Sequence, residues 1–382
     1  MRMGQRLSSL VISDIRAMSR LCDAVGGINL GQGVCDLPTP PPVARAANAA
    51  IDASIAIYTA PEGIKPLREA IAADLHKRYG REVDPASEVV VTSGATGGFA
   101  ASLLAVCDPG DEVILFEPYY GYHLNTVLAL GLVPKLVPTR PPFWNIDEQA
   151  FASAIGPRTR AVVVCTPSNP SGKVWTPAEL DWLIDALEAH DIFAITDEIY
   201  EHIVFDGERH VPLATRKNAS SRCISISGFS KTFAVTGWRL GYLTAPPDAA
   251  RRITVAHDLL YVCAPTPLQH AMVAGLAMPE SYFAGISQSY QKKRDILCSA
   301  LADAGLFPYV PKGAYYVLAD IRKLGAKNAK EAALKLLSDL KIASVPGTSF
   351  YADPVGDTLC RFCFAKEEDV LEEAAKRIRT LA

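Results

Sequence analysis

The chain has 382 residues, of which 38 are basic and 41 acidic, and its net charge of −3 excludes the basic surplus that nucleic-acid binding needs. Hydrophobic residues make up 49% and charged residues 21%, which is typical of a soluble globular enzyme long enough for two domains. No apolar run approaches the roughly 20 residues of a membrane-spanning helix, and the N-terminus lacks a signal-peptide core, so we expect a cytoplasmic protein without a membrane partner.

Nine cysteines, an odd number, lie in apolar contexts, which favours reduced buried thiols over a disulfide framework. One C-x-x-C pair, Cys360 and Cys363, could indicate a redox or zinc site. Thiols three residues apart on an extended strand point to opposite faces, however, and no second pair completes four ligands. We therefore expect no metal site.

The first 45 residues begin with a helix-like segment and reach a stretch, residues 29–40, whose glycines and prolines predict a sharply turned backbone. Glycine lets the backbone approach a ligand closely, so Gly33 could line a pocket, although an ordinary loop has the same composition. Tyr58 then precedes a helical pattern over residues 65–79, and a tyrosine there is ordinarily a half-buried packing residue.

Short β-rich runs alternate with helical patterns between about residues 89 and 245. One helix-length stretch covers residues 177–189, and Thr176 before it is a good N-cap. This alternation predicts a largely parallel sheet covered by helices, with ligands bound at the carboxyl ends of its strands. The predicted strands are residues 89–92, 112–116, 134–137, 161–166, 192–197, 223–227 and 240–244.

A glycine-rich turn, residues 92–98, follows the first of these strands and opens a helix. Unpaired N–H groups and the helix dipole favour an anion at such a position. The turn is neither G-x-G-x-x-G nor a Walker motif, so by itself it indicates a phosphate site only weakly.

Three further strand ends carry side chains that suit a ligand site. Tyr120 belongs to an aromatic cluster that could equally be core packing, and Asn169 lies in a turn where asparagine usually bonds its own backbone. Asp197 ends an apolar strand, and a buried acid is costly unless a cation lies nearby.

A lysine and an arginine, Lys231 and Arg239, flank a small-residue turn between two apolar strands. A lysine amine attacks carbonyls only when its ammonium form is disfavoured, and the neighbours of Lys231 are small and apolar. The guanidinium of Arg239 suits bidentate capture of a phosphate. The pair suggests pyridoxal phosphate as cofactor, against the alternative that Lys231 is an ordinary solvated surface charge.

The run over residues 225–242, with Ser-Lys-Thr-Phe at 230–233 and Thr-Gly-Trp-Arg at 236–239, resembles the lysine segment of the fold-type I pyridoxal-phosphate aminotransferases. Further similar segments occur in family order from about residue 25 to 365, among them Asn-Pro-x-Gly at 169–172 and Asp-Glu-x-Tyr at 197–200. The chain departs from the family pattern at Gly228, where many members have a phosphate-binding serine, and at Cys35, which replaces a loop proline.

This resemblance implies a cofactor-binding set. Lys231 would hold pyridoxal phosphate as a Schiff base and later serve as the general base. Tyr120 would stack on the pyridine ring, Asp197 would keep its nitrogen protonated, and His123 could orient Asp197 or be a structural histidine. The phenolic oxygen would contact Asn169 and Tyr200, and the phosphate would be bound by Gly94, Ala95, Thr96, Arg239 and, from a neighbouring subunit, Tyr58.

The resemblance also implies the substrate contacts and the reaction. Gly33 and Asn169 would line the carboxylate side of the pocket, and Arg361, an arginine inside an apolar strand, would find its anionic partner in the substrate α-carboxylate. Lys231, Asp197 and Tyr200 are the expected catalytic residues of a ping-pong aminotransferase. Two alternatives remain, a C–S β-lyase on the same scaffold and a cofactor-sensing regulatory module, since fold does not fix reaction type.

The start of the loop, Leu-Gly-Gln-Gly at 30–33, looks like the kynurenine, glutamine and methionine aminotransferase branch. It favours a neutral or aromatic amino donor with 2-oxoglutarate as an acceptor, and no motif assigns an arginine to a second substrate carboxylate. The implied fold is α/β, with a mostly parallel seven-stranded sheet in a large domain (46–278) and a smaller α+β domain (279–382) to which residues 1–45 contribute. The expected assembly is a homodimer with shared active sites.

Overall fold

The computed structural model describes residues 7, 8, 10, 13–35 and 37–381; Asp36, in the predicted loop at 29–40, lies outside the described residues. In that part of the chain the strands are β1 (Ile28–Asn29), β2 (Val89–Thr92), β3 (Glu112–Glu117), β4 (Val133–Pro138), β5 (Thr159–Cys165), β6 (Phe193–Asp197), β7 (Cys223–Gly228), β8 (Gly241–Thr244), β9 (Phe307–Tyr309), β10 (Tyr316–Asp320), β11 (Ile342–Ala343), β12 (Val345–Pro346) and β13 (Leu359–Cys363). The α-helices are α1 (Asp14–Ala24), α2 (Pro41–Asp52), α3 (Lys65–Tyr79), α4 (Gly94–Val106), α5 (Gly121–Ala129), α6 (Glu148–Ala154), α7 (Pro177–His190), α8 (Pro247–Tyr261), α9 (Thr266–Leu276), α10 (Glu280–Asp303), α11 (Ala329–Leu340) and α12 (Glu368–Arg379).

The seven strands predicted between residues 89 and 244 form one sheet, in the order β2-β8-β7-β6-β5-β3-β4. Only β8 runs antiparallel to its neighbours, so the prediction of a mostly parallel seven-stranded sheet is confirmed. The observed strand ends differ from the predicted ones by no more than two residues. The order places the carboxyl ends of β5, β6 and β7 side by side.

Helices cover both faces of this sheet because its central strands are apolar on both sides. In β3, Val113 and Leu115 pack into a core with residues of α4 and α8, whereas Ile114 packs into a separate core with residues of α6 and α7. Successive side chains of a strand point to opposite faces, so one apolar run supplies two cores.

Helix α7 begins where the sequence indicates. The Thr176 hydroxyl accepts from the N–H of Glu179 at 3.3 Å, and the Glu179 carboxylate accepts from the N–H of Thr176 at 2.9 Å. This reciprocal capping box satisfies two N–H groups that have no partner within the helix. The predicted N-cap is therefore confirmed.

A second sheet, in the order β12-β13-β10-β9, is antiparallel and packs against α10, α11 and α12. Strand β1 pairs in parallel with β11 through Ile28 and Ile342, which joins the N-terminal segment to this layer. A short loop at residues 262–265 connects α8, which ends at Tyr261, to α9, which begins at Thr266. Among the helices that the structure describes, none has the length and apolar character needed to cross a membrane.

A buried charge network anchors the segment that follows β6. Glu201 accepts from Arg78 Nη2 at 2.8 Å and from the Tyr79 hydroxyl at 3.1 Å. Burial by itself would raise the pKa of Glu201, but the Arg78 guanidinium outweighs that effect and holds the pKa well below its ordinary value. Since Glu201 directly follows Tyr200, this ion pair ties α3 to a predicted site residue.

We expect Arg78→Met to destabilise the fold by about 3–5 kcal/mol, because it leaves two nearly buried carboxylates, Glu201 and Asp74, without the guanidinium that both contact. Arg216→Met is the matched control: its ion pair with Asp181 is more exposed, at 27% and 48% of the two side chains, and its loss should cost less than about 1 kcal/mol. Urea unfolding followed by circular dichroism measures both. The triple variant Arg78→Met/Glu201→Gln/Asp74→Asn, which also removes both unpaired charges, should regain much of the loss. Equal urea midpoints for the two single variants would contradict this account.

Candidate active site

A cavity of about 470 Å³ opens at the carboxyl ends of β5, β6 and β7. Its walls come from the large sheet, from α1 and the loop after β1, and from β10 and β13 of the second sheet. Parallel sheets bind ligands at this edge, as the sequence predicts. The predicted site residues that line the cavity are Gly33, Ala95, Thr96, Tyr120, Asn169, Asp197, Tyr200, Lys231, Arg239 and Arg361.

Lys231 lies in the turn that follows β7. Its Nζ donates to the carbonyl of Gly33 at 3.3 Å and lies 5.6 Å from the centre of the Tyr315 ring. Burial disfavours the ammonium form and lowers the pKa of Lys231 from 10.5 to about 8, although nearby thiols and Asp197 act in the opposite direction. The side chain keeps some access to the cavity. A lysine of this kind has a sizeable fraction of free amine near neutral pH.

One end of the cavity is suited to an anion. The first-turn N–H groups of α4, at Ala95 and Thr96, have no partner within the helix, and the helix dipole adds partial positive charge. The Arg239 guanidinium lies over Gly94, where a Cβ would approach Arg239 Nη2 to 2.6 Å. Arg239 itself has φ +54°, an unfavourable value for a residue with a side chain, and such strain is common at functional sites. Because Gly94 has no side chain, the Arg239 guanidinium can lie close to the N-terminus of α4.

A buried histidine, His257, contacts the backbone of the turn before α4. Ser93 donates its N–H to His257 Nε2 at 2.9 Å, and burial lowers the pKa of His257, so the ring is neutral and can accept. No sequence motif marked His257, because it lies 164 residues away on α8. Its contact fixes the backbone from which Ala95 and Thr96 present their N–H groups.

Asp197 is the last residue of β6 and lies between two donors. Its Oδ2 is 3.0 Å from His123 Nε2, and its Oδ1 accepts from the N–H of Ile199 at 3.2 Å. The ring of Tyr120 stands edge-on to His123, with ring centres 5.2 Å apart. Of the two alternatives for His123, orienting Asp197 is thus the one that the contact supports.

Arg361 is fully buried, with 1% of its surface exposed, yet it has only neutral partners among the described residues. Its Nη1 donates to Asn169 Oδ1 at 2.8 Å and its Nη2 to the carbonyl of Gly31 at 2.6 Å, while Nε has no partner. The rings of Tyr316 and Phe350 lie 4.2 and 4.8 Å from the guanidinium carbon. The sequence predicts an anionic partner for this residue, and the chain itself provides none in its described part.

Gly33 and Tyr200 meet at Tyr316. A Cβ at Gly33 would lie 1.7 Å from the Tyr316 hydroxyl, so only glycine fits, and that hydroxyl accepts from the Tyr200 hydroxyl at 3.2 Å. The carbonyl of Gly33 accepts from Tyr315 at 3.0 Å as well as from Lys231. The sequence suggests that the backbone of this loop approaches a ligand closely; here it approaches Tyr316, which begins β10, and Tyr315 just before it.

Of the predicted site residues, Tyr58 and Gly94 do not line the cavity. Tyr58 is 78% exposed and does not line the cavity of its own chain. Gly228 stands where many family members have a phosphate-binding serine. The packing around it leaves little room for a side chain, since a Cβ there would approach Gly241 Cα and Ile199 Cδ1 to 3.0 Å. Hydroxyls of Ser230 and Thr236 line the cavity instead.

Sequence reasoning missed several lining residues. Arg16 and Ile15 of α1 reach the cavity, as do Gln32, Tyr122 and Tyr316. Tyr122 lies two residues from Tyr120 in the same aromatic cluster and could have been found from it, but α1 has only the pattern of an ordinary amphipathic helix. Its place beside the cavity depends on the β1–β11 pairing between distant parts of the chain.

The class that this fold and cavity define is a lysine-based, anion-binding α/β enzyme, and comparison with known proteins identifies its family. A family model described as "Aminotransferase class I and II" matches residues 25–378. Methionine aminotransferase of Escherichia coli is 35% identical, with 98% of this chain and 97% of that protein covered. Kynurenine–oxoglutarate transaminase 3 of mouse is 33% identical, with 92% and 84% covered. The solved structure of N-succinyldiaminopimelate aminotransferase from Mycobacterium tuberculosis superposes with a TM-score of 0.97 at 35% identity over 100% of both chains.

The chain belongs to the class I and II aminotransferases, a family of fold-type I enzymes that use pyridoxal phosphate. The predicted family, fold class, cofactor and enzyme type are confirmed. The roles of individual residues and the choice of substrate are separate questions.

We expect the capture of pyridoxal phosphate by apoprotein to follow the ionisation of Lys231. With a pKa of about 8 for the amine, the capture rate should level off above about pH 9 and fall roughly tenfold for each pH unit below about 7. Borohydride trapping at timed intervals, followed by mass spectrometry of the Lys231 peptide, measures the rate. Lys231→Ala is the control that should give no trapped product, and a rate that still rises steeply towards pH 10.5 would show an ordinary solvated lysine.

Proposed function

We propose that the protein transfers an amino group from a neutral or aromatic L-amino acid to a 2-oxo acid such as 2-oxoglutarate, in two half-reactions at the cavity described above. The observation that supports this most strongly is that one cavity holds both Lys231, whose pKa is lowered to about 8, and a buried arginine, Arg361, that lacks an anionic partner among the described residues. One group suits reaction with a carbonyl, and the other suits a carboxylate.

The residues around the cavity fit pyridoxal phosphate. We assign the phosphate to the N–H groups of Ala95 and Thr96, to Arg239, and to the hydroxyls of Ser230 and Thr236, in place of the serine missing at Gly228. When bound, the cofactor supplies a conjugated ring that takes up the electron pair left on the substrate Cα.

The contacts of the ring are assigned to residues of β6 and its neighbours. Asp197, oriented by His123, is the proposed partner of the ring nitrogen, and the face of Tyr120 is the proposed stacking surface. Asn169 and Tyr200 supply polar groups for the ring hydroxyl. These assignments rest on the shared cavity and on the family resemblance.

Arg361 and Asn169 are the proposed carboxylate clamp. Two of the five N–H donors of Arg361 are used by Asn169 and Gly31, which leaves three for a substrate carboxylate. The Tyr316 and Phe350 rings hold the guanidinium plane, so little rotamer entropy remains to be lost when a substrate binds. The α-carboxylate therefore fixes the substrate Cα relative to Lys231.

Lys231 is the proposed general base. An amine with a pKa of about 8 can take the proton from the substrate Cα and return it at a neighbouring position, because both of its protonation states are populated near neutral pH. The Gly33 carbonyl, 3.3 Å away, accepts from Nζ and orients the free amine.

Single-turnover chemistry distinguishes transamination from the lyase alternative. With excess L-methionine or L-phenylalanine and no added 2-oxo acid, we expect one equivalent of 2-oxo acid per site and conversion of the cofactor to its amine form. With an S-substituted L-cysteine we expect no burst of pyruvate and ammonia. Stoichiometric pyruvate and ammonia, with the cofactor still attached to Lys231, would instead establish elimination.

Arg361→Lys is the companion variant for this experiment. Lysine keeps the charge but loses the planar fork, so we expect about a 100-fold lower kcat/KM for amino donors. The amount of bound cofactor, read from its absorbance, should match that of the unsubstituted protein. A variant with native kinetics would remove Arg361 from the clamp.

We propose a homodimer in which Tyr58 reaches the cofactor phosphate of the partner subunit. Large apolar side chains are exposed together here: Ile57 is 80% exposed, Tyr58 78% and Leu259 82%. The carbonyl of Ile57 accepts from Thr266 Oγ1 at 2.8 Å, which holds this segment against the start of α9. Large apolar side chains with this degree of exposure favour an interface.

We also propose the domain division of the sequence analysis, with residues 46–278 as the large domain and 279–382 as the small one. The β1–β11 pairing supports adding residues 1–45 to the small domain, because it ties residue 28 to residue 342.

Subunit mixing tests the shared site. Lys231→Ala and Tyr58→Ala homodimers should each have little activity at limiting cofactor, and exchange of their subunits should restore up to about a quarter of native activity, because half of the sites in each heterodimer are intact. Sedimentation gives the oligomeric state. Full activity of Tyr58→Ala, or a monomer, would contradict the proposal.

A further inference from the structure

The cavity contains more positive charge than the cofactor and a substrate backbone require. Four of its lining residues are basic, namely Arg16, Lys231, Arg239 and Arg361, and Asp197 is its one carboxylate among the described lining residues. Asp197 is already paired with His123. Under the proposed function, Arg239 is matched to the phosphate and Arg361 to the α-carboxylate, while the Lys231 amine is the attachment point of the cofactor and the general base. Arg16 is left without an assigned anion.

Arg16 also lacks an acidic partner in the part of the chain that the structure describes. Its Nε lies 3.3 Å from the hydroxyl of Tyr122, and the groups that influence its ionisation are the phenols of Tyr122 and Tyr120. The nearest acid in sequence, Asp14, is engaged elsewhere, with Lys330 at 4.0 Å and the Ser349 hydroxyl at 2.9 Å. Nothing described in this chain neutralises the guanidinium.

A continuous set of contacts connects Arg16 to the proposed cofactor position. The ring of Tyr122 lies 5.3 Å from the ring of Tyr120, and Arg16 bonds to the Tyr122 hydroxyl at the cavity wall. Arg16 is therefore beside the substrate space on the Tyr120 side. Arg361 approaches the same space from β13 of the second sheet, so the two guanidinium groups are held by different layers of the fold.

We propose that Arg16 and Tyr122 form a subsite for the second carboxylate of a dicarboxylic substrate, of the class of glutamate and 2-oxoglutarate. This inference rests on the proposed function, because it takes Arg361 as the partner of the α-carboxylate. A guanidinium fork and a phenol are suitable donors for a carboxylate. The subsite identifies an acceptor-binding residue that no sequence motif had assigned.

The exposure of Arg16 explains how one cavity can also admit neutral or aromatic amino acids. Leaving a buried charge without a partner is strongly unfavourable, but an exposed guanidinium stays hydrated when the substrate side chain is uncharged. The buried Arg361 thus requires a substrate carboxylate. The exposed Arg16 binds a second carboxylate when the substrate has one, and it stays hydrated when the substrate side chain is neutral. The neighbouring faces of Tyr120 and Tyr122 supply apolar surface for neutral side chains.

The test compares two isosteric amino donors, L-glutamate and L-glutamine, in the half-reaction of the holoenzyme. Arg16→Gln should lower the ratio of kcat/KM for glutamate over glutamine by about 10- to 50-fold, and Arg16→Lys should lower it less. Arg20→Gln is the matched control: it removes an exposed arginine one turn further along α1 that does not line the cavity, and it should leave the ratio unchanged.

Binding of glutarate, an unreactive dicarboxylate, gives a readout independent of turnover. Calorimetry should show about a tenfold weaker affinity of the Arg16→Gln holoenzyme for glutarate. An unchanged glutamate-to-glutamine ratio, an equal loss for both donors, or the same loss in Arg20→Gln would each overturn the subsite. If the unsubstituted enzyme converts neutral donors but not glutamate, the subsite alone fails; if it converts no amino acid, the proposed function fails.

Discussion

The site depends on one lysine amine that loses its proton much more easily than a solvated lysine, within a cavity whose other cations are guanidinium groups. Burial at the carboxyl edge of the large sheet lowers the pKa of Lys231 to about 8, whereas Arg239 and Arg361 supply planar guanidinium groups suited to binding anions. The parallel strands bring these groups together, and the loop containing Gly33 closes over Nζ and gives it a hydrogen-bond acceptor. A nucleophile and two anion-binding groups thus share one space without competing.

The arrangement is organised for ligands rather than for the stability of the empty protein. Arg361 is buried with only neutral acceptors among the described residues, and its desolvation is offset in part by Asn169, the Gly31 carbonyl and two aromatic faces. Arg239 keeps a left-handed backbone conformation over the N-terminus of α4. Arg78 differs, because its guanidinium is paired with the carboxylates of Glu201 and Asp74. The arginines without a carboxylate partner thus lie at the cavity, whereas Arg78, which has carboxylate partners, stabilises the fold.

The sequence predicts the large sheet accurately because each strand is a short apolar run, rich in β-branched residues and bounded by residues that favour turns. Lys231, Asp197 and Asn169 were identifiable because each follows a strand at the ligand-binding edge and matches a family segment. Contacts between distant residues were not identifiable: the fit of Gly33 against Tyr316, the support of Ser93 by His257, and the position of Arg16 beside Tyr122 all join segments far apart in the chain. Tyr58 marks a different limit, since its proposed role belongs to a second subunit.

The most direct measurement of the central claim is the ionisation of the Lys231 amine itself in the apoprotein. Selective carbon-13 labelling of lysine, with the Lys231 signal assigned by its loss in Lys231→Ala, allows the amine to be titrated by nuclear magnetic resonance. A midpoint at about 8 is the expected result, and a midpoint near 10.5, the value for a solvated lysine, would contradict the account.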